Sequence, residues 1–196
     1  MIRPSALIAA ALAISALAGC GSSPKVNFYA LSSAAAPERA AAGAAYGVVA
    51  IGPVTVPEMI DRPQIVTRAA ANQVTLDEFA QWAEPLKGQI PRIIAANLTQ
   101  LLDGAYVIAY PQSANVPADY KVDINVQRFE SSLGDAAAIE VLWLVRPARG
   151  GAPKTGRSVA REPTGGKGYD ALAAAHSRAL AAVSREIAGA IRAAKQ

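Results

Sequence analysis

The sequence predicts a single α+β domain, a mostly antiparallel sheet with two helices packed on one face. Apolar and polar residues alternate over residues 119–127, which is the period of a half-buried strand. Apolar residues recur at helical spacing over 86–101 and again over 172–190. Roughly 177 residues remain once a leader is removed, and that length suits one core of ordinary size.

The first 20 residues have the features of a leader peptide. Arg3 supplies the positive charge, and the apolar stretch after it is too short for a membrane-spanning helix, which needs roughly 20 residues. Two cleavage sites compete. Ala16–Leu17–Ala18 suits an ordinary signal peptidase, whereas Leu17–Ala18–Gly19–Cys20 resembles the bacterial lipobox at every position. We favour the lipobox because the only cysteine of the chain lies where it requires one.

Cleavage at the lipobox predicts that residues 1–19 are removed and that Cys20 carries the lipid. One acyl chain anchors a protein only marginally, so a stable anchor takes the several chains that such a cysteine receives. In enteric bacteria an Asp after the cysteine retains the protein in the inner membrane. Gly21 occupies that position here, which favours the outer membrane.

Residues 20–45 are predicted to precede the main domain, which spans residues 46–196. The lipidated cysteine is followed by small and polar residues that predict a short flexible tether. The β-forming stretch over 26–31 then predicts a short strand. The alanine-rich run over 33–45, which holds Pro and Gly, predicts a mobile loop.

The first half of the domain is predicted to combine strands, a hairpin and a helix. Four segments follow the pattern of strands: 46–56, 64–68, 72–76 and 106–109. The second and third pair as a hairpin, and Pro53 predicts a bulge or an edge in the first, because proline cannot donate to a ladder. The helix is predicted from Trp82 to Asp103. It starts or kinks near Pro91, and Gly104 follows its end.

The second half is predicted to form a three-stranded antiparallel meander and a long helix. Its strands are expected over 119–127, 139–145 and 155–161, with a bulge near Arg128 because Phe129 breaks the alternation. The helix is expected over 169–194. Its polar side carries three arginines that we interpret as a solvated face: Arg178, Arg185 and Arg192.

Composition and motifs give no sign of an enzyme. The net charge is +4 without a block of five like charges, so no nucleic acid is expected as a partner. No nucleotide, hydrolase or metal motif occurs, and we expect no catalytic residue, metal or cofactor. His176, the only histidine, lies on an apolar stripe and is interpreted as a core residue. Asn97 lies on another, where a buried amide is expected to contact the backbone of a neighbouring loop.

Three motifs, in this order, are similar to those of the PqiC/YmbA lipoprotein family. Phe28–Leu31 matches the FYxL opening of that family. Ile51–Pro57 followed by Asp61–Val66 resembles its IGPV-x-VPxYLDRPQIV segment, and Trp82–Leu86 matches its WAEPL motif. This chain departs from the pattern at Met59–Ile60, where Tyr-Leu is common.

The resemblance implies a non-enzymatic outer-membrane partner of an MCE-type lipid transport system. Such a lipoprotein docks the periplasmic, PqiB-like MCE protein, and a hollow tubular partner favours a homo-oligomeric ring. The alternatives are an outer-membrane assembly factor or enzyme activator, and a hydrolase with an unrecognised site.

Two segments are rich in residue types that bind protein partners, the turn over 57–64 and the stretch over 78–86. The predicted partner-binding residues are Met59, Ile60, Arg62 and Trp82. Trp and Arg are enriched at interface hot spots. The other interpretation, that these side chains only pack the fold, stays open for Arg62 and Trp82.

Overall fold

A computed structural model describes residues 24–35 and 46–194. The predicted leader over 1–19, Cys20 and residues 36–45 of the predicted alanine-rich loop lie outside the described residues. The described strands are β1 (Asn27–Tyr29), β2 (Val48–Thr55), β3 (Gln64–Ala70), β4 (Gln73–Trp82), β5 (Tyr106–Ala109), β6 (Tyr120–Ser131), β7 (Ala136–Pro147) and β8 (Lys154–Pro163). The described helices are α1 (Leu86–Leu101) and α2 (Tyr169–Ala194). This architecture confirms the predicted α+β class.

A five-stranded sheet in the order β5-β2-β6-β7-β8 forms the larger layer. The predicted meander β6-β7-β8 is antiparallel, while β2 pairs in parallel with β5 and β6. The register shifts between Ile51 and Val54, which confirms the bulge predicted at Pro53. The register between β6 and β7 also shifts between Val126 and Arg128. One extra residue is inserted there, so the side chain of Phe129 points inward again.

Both helices cover one face of this sheet. Helix α1 packs against β2 and β5, α2 packs against β7 and β8, and the two helices contact each other. Their apolar stripes are fully buried: Ile90, Ile94 and Leu98 on α1, and Leu180, Val183 and Ile187 on α2. Within the described residues, no helix combines the length and hydrophobicity needed to cross a bilayer.

A second, three-stranded sheet has the order β1-β4-β3, so the structure holds two mixed sheets. The predicted hairpin is confirmed as β3 and β4, but β4 continues to Trp82, where the sequence predicted the start of a helix. Trp82 pairs with Tyr29 of β1 and is buried, so tertiary contacts override the local helical pattern. The helix begins at Leu86, directly after Pro85, and Pro91 lies inside it.

Asn97 fastens the chain after β1 to the helical layer. Its side-chain oxygen accepts hydrogen bonds from the Ser33 hydroxyl at 2.7 Å and from the backbone amides of Ala34 and Ala35 at 3.1 and 3.2 Å. Its amide nitrogen donates to Ser184 Oγ at 3.2 Å. The prediction that this buried amide contacts a neighbouring loop is confirmed.

His176 is a core residue, as predicted from its place on the apolar stripe. Its ring is 0% exposed and stacks on Phe129, with ring centroids 3.8 Å apart. Nε2 lies 2.8 Å from Ser131 Oγ, and Nδ1 has no hydrogen-bond partner. Burial disfavours the charged imidazolium and lowers the pKa of His176 to about 3.

The arginines of α2 are partly engaged with neighbouring segments. Arg178 pairs with Glu162 at 3.5 Å, and Arg192 donates to the carbonyl of Leu101 at 2.6 Å. Arg185 is exposed, as expected of a solvated face. Two of the three arginines therefore tie the helix to its surroundings.

Candidate functional site

The three sequence motifs meet at one pocket of about 340 Å³, which we call the motif pocket. Phe28 of β1 contributes one wall. The turn before β3 contributes Asp61–Pro63, and the end of β4 with the following turn contributes Gln81–Pro85. Segments far apart in sequence thus form a single site at the edge of the smaller sheet.

Backbone hydrogen bonds hold these segments together. The amide of Trp82 donates to the carbonyl of Pro63 at 2.7 Å, and the amide of Ala83 donates to the carbonyl of Tyr29 at 2.8 Å. Pro63 and Pro85 each have a fixed φ, which limits the motion of the two turns. The pocket is therefore built by the fold and does not need a ligand to assemble it.

Aromatic side chains form the apolar part of the pocket. Trp82 is only 5% exposed because its ring lies in the core, edge-on to Phe129 and His176 at 6.1 and 6.2 Å between centroids. Phe28 pairs in register with Gln81 and is 64% exposed. Trp82 therefore lines the pocket only with the little surface that it exposes, whereas Phe28 is largely open to solvent.

The acidic residues at the pocket are neutralised by lysine and arginine side chains of α1. Asp61 pairs with Lys87 at 2.5 Å, and Glu84 pairs with Arg92 at 2.5 Å. Among residues 24–35 and 46–194, Arg62 has no hydrogen-bond or ion-pair partner. The pocket therefore carries one uncompensated positive charge beside its apolar surface.

The structure brings together two of the four predicted partner-binding residues. Arg62 and Trp82 both line the motif pocket. Ile60 is 5% exposed and packs into the core beneath the 3₁₀ turn Glu58–Ile60, whereas Met59 on the same turn is 47% exposed but does not line the pocket. Sequence reasoning missed Phe28 as a site residue, although its place in the FYAL motif was the signal that could have found it.

A second, shallower concavity of about 770 Å³ lies on the outer face of the five-stranded sheet. Leu142 and Leu144 provide its apolar part, and Arg157 lies at its side. Of the motif residues, only Pro53 and Thr55 reach it. We place the candidate site at the motif pocket, because that is where all three motifs converge.

Metal-binding groups and a possible hydroxyl–imidazole pair were the catalytic features to look for in the described residues. In 24–35 and 46–194, no group of three or more His, Cys, Asp or Glu side chains could hold a metal ion. Ser131 and His176 form a hydroxyl–imidazole pair, but they are only 3% and 0% exposed, so a substrate cannot reach them.

Comparison with known proteins finds a matching family model and solved structures with the same fold. A family model described as ABC-type transport auxiliary lipoprotein component matches residues 29–188. The crystal structure of an uncharacterized protein shares the fold with a TM-score of 0.69 and 20% identity, covering 84% of this chain and 97% of that one. A Xanthomonas campestris protein of the DUF330 family has a TM-score of 0.61 and 22% identity, covering 83% and 93%.

A more distant likeness is to PelC, solved as a dodecamer from Paraburkholderia phytofirmans. Its TM-score is 0.42 at 16% identity, covering 84% of this chain and 95% of that one. Among proteins of curated function, none matches this chain. The uncharacterized protein and the Xanthomonas campestris protein establish the fold alone at these identities, and nothing is argued from the likeness to PelC.

Proposed function

The chain belongs to the ABC-type transport auxiliary lipoprotein family, of the PqiC/YmbA type, and on that premise we propose that it serves an MCE-type lipid transport system. In this proposal it is a non-enzymatic subunit, anchored in the outer membrane through Cys20. It docks the periplasmic, PqiB-like MCE protein and thereby supports membrane integrity. The observation that carries the docking role is the convergence of the three motifs on one preformed pocket.

The chemistry of the motif pocket supports a binding role. An exposed aromatic ring, a supporting tryptophan and a free guanidinium are the residue types that dominate protein interfaces. Phe28 and Arg62 supply the first and last of these, and Trp82 holds the pocket in shape. Met59, on the same turn as Ile60, is 47% exposed but lies outside the pocket lining.

Site-specific photo-crosslinking in envelope membranes tests the docking role. A photoreactive residue at Phe28 is expected to capture an MCE protein. The matched control is the same residue at Val159 on β8, which is also exposed but lies away from the pocket and is expected to capture none. If only peptidoglycan synthases or porin-assembly proteins are recovered, the chain is an assembly factor or enzyme activator and the transport role is wrong.

Membrane fractionation tests the anchor. Cys20→Ser is expected to release the chain into the soluble periplasmic fraction, because the residue that carries the acyl chains is gone. Gly21→Asp is expected to shift the protein toward the inner membrane. Unchanged attachment of the Cys20→Ser variant would show that another segment holds the chain at the membrane.

We further propose that several copies form a ring around the end of a tubular MCE partner. The five-stranded sheet is open, so its edge strands β5 and β8 have backbone groups that do not pair with any other strand in the described residues. Contacts between different edges of neighbouring copies are heterologous, and they generate a closed ring when the rotation from one copy to the next closes. Light scattering of the detergent-solubilised lipoprotein is expected to give a multiple of the monomer mass, and a monomer at all concentrations would exclude the ring.

A further inference from the structure

The charge balance of the motif pocket defines the ligand that it can attract. Both carboxylates at its rim already have cationic partners on α1, in the pairs Asp61–Lys87 and Glu84–Arg92. A cationic ligand would have to break one of these pairs. The free guanidinium of Arg62 instead offers donors in a planar fork that matches a carboxylate.

The apolar surface next to Arg62 adds a second requirement. Phe28 is 64% exposed, and with Pro63 and Pro85 it lines the pocket. A ligand that buries this ring gains from the hydrophobic effect only if it presents an apolar group beside its negative charge. A free inorganic anion or a sugar would leave that surface exposed.

The size and position of the pocket favour a peptide over a whole lipid. Its volume of about 340 Å³ lies at the lower end of the range for small-ligand pockets, so it holds one or two side chains. It also borders β1, which pairs only with β4 and is an edge of its sheet. An extended segment can lie along such an edge while its side chains enter the pocket.

We infer that the motif pocket binds a short partner segment in which a carboxylate side chain follows a bulky apolar side chain. The carboxylate pairs with Arg62, and the apolar side chain packs on Phe28. This inference rests on the proposed function, since it takes the ligand to be a protein.

The test compares two short peptides on the full mature chain in detergent micelles. The probes are acetyl-Phe-Glu-Gly-amide and its neutral counterpart acetyl-Phe-Gln-Gly-amide, which has the same shape and no charge. NMR follows the indole N–H of Trp82, assigned with a Trp143→Phe variant, and the side-chain N–H of Arg62. Titration to about 10 mM covers millimolar dissociation constants.

The acidic peptide is expected to shift both signals and to bind about three- to tenfold more tightly than the neutral one. Arg62→Gln is expected to abolish that preference. Arg149→Gln, which changes an exposed arginine in the loop between β7 and β8, is the matched control and is expected to keep it.

Three results would overturn the inference. These are equal binding of the two peptides, a preference that survives in Arg62→Gln, and shifts produced by an anionic phospholipid added to the micelles but by neither peptide. The last result would assign the pocket to lipid. None of the three bears on the capture of an MCE protein at Phe28, so failure here is distinct from failure of the proposed docking role.

Discussion

The stability of the fold is expected to depend on pH through His176. In the folded chain the imidazole is fully buried, and burial lowers its pKa to about 3, whereas an unfolded histidine titrates near 6.5. As the pH falls below about 6.5, His176 becomes protonated in the unfolded state but stays neutral in the folded state. The unfolding free energy therefore decreases from that pH down to about 3, where the folded form is protonated as well.

The size of this effect follows from the two pKa values. Between pH 7 and pH 5 the loss from this one residue is about 2 kcal/mol, with a slope approaching 1.4 kcal/mol per pH unit. The result at pH 5 is insensitive to the value in the folded state, because any pKa well below 5 gives the same loss. Desolvation is the cause of the shift, so the neighbouring hydroxyl of Ser131 is not required for it.

Urea unfolding of the unacylated Cys20→Ser chain measures the effect. Replacing His176 with Gln removes the titrating group and is expected to reduce the loss between pH 7 and pH 5 by about 2 kcal/mol relative to the parent chain. With a slope of about 2 kcal/mol per molar urea, this is a difference of about 1 M in midpoint shift.

Ser131→Ala is the matched control, because it removes the hydrogen-bond partner and keeps the histidine. This variant is expected to retain the full pH dependence, although it is less stable at every pH. An equal pH dependence in the parent chain and in His176→Gln would refute the reasoning, and would show that the imidazole is protonated within the fold.

Three further predictions concern the core and the site. Asn97→Ala leaves the backbone amides of Ala34 and Ala35 without an acceptor and is expected to lower the unfolding free energy by about 2–4 kcal/mol in urea titrations. A loss below about 0.5 kcal/mol would mean that the Asn97 side chain does not hold this loop. Gly156→Ala would place a Cβ against the Trp143 ring, so it is expected to lower the unfolding free energy by about 1–3 kcal/mol. Gly189→Ala in α2 is the matched control: its Cβ would meet no atom within 4 Å, and the change is expected to raise the unfolding free energy by about 0.5–1 kcal/mol. Equal effects of the two changes on the melting temperature would contradict this. Phe28→Ala is expected to leave stability unchanged and to weaken binding of the partner about five- to thirtyfold in a quantitative pull-down, since burying the exposed part of the ring contributes about 1–2 kcal/mol. Undiminished pull-down would exclude this ring from the interface.

Much of the fold could be predicted because its elements have strong local patterns. The long helix was predicted over the same residues that the structure assigns to α2, and β5 was likewise predicted residue for residue. Turn-forming residues flank both elements in the sequence and mark their ends. The bulge before Phe129 was readable from one break in alternation, because a strand has a side-chain period of two residues.

The division into two sheets could not be read from such patterns. Periodicity shows which face of a strand is buried, but it does not show which strand lies beside it. The parallel pair β1 and β4 joins residues more than fifty positions apart, and β1 has only three residues. Trp82 was assigned to a helix for the same reason, since its strand partner is distant in sequence.

The candidate site was predictable only in part. Arg62 and Trp82 were selected by residue type, and both line the motif pocket. Ile60 was selected by its position in the same turn, but a bulky aliphatic residue there is drawn into the core. Phe28 required the pairing of β1 with β4, which places Tyr29 on the inward side and leaves Phe28 outside.

Under the proposed anchoring through Cys20, the start of β1 at Asn27, seven residues later, limits the distance of the pocket from the membrane. Whatever conformation those residues adopt, they span at most about 25 Å, so an acylated chain keeps β1 within that distance of the bilayer surface. Confinement to a thin layer raises the effective concentration of the pocket for any partner that reaches the same layer, to the millimolar range typical of short linkers. A contact too weak to persist in free solution can then be enough to hold the partner. Lengthening the tether would lower this effective concentration without altering the pocket itself.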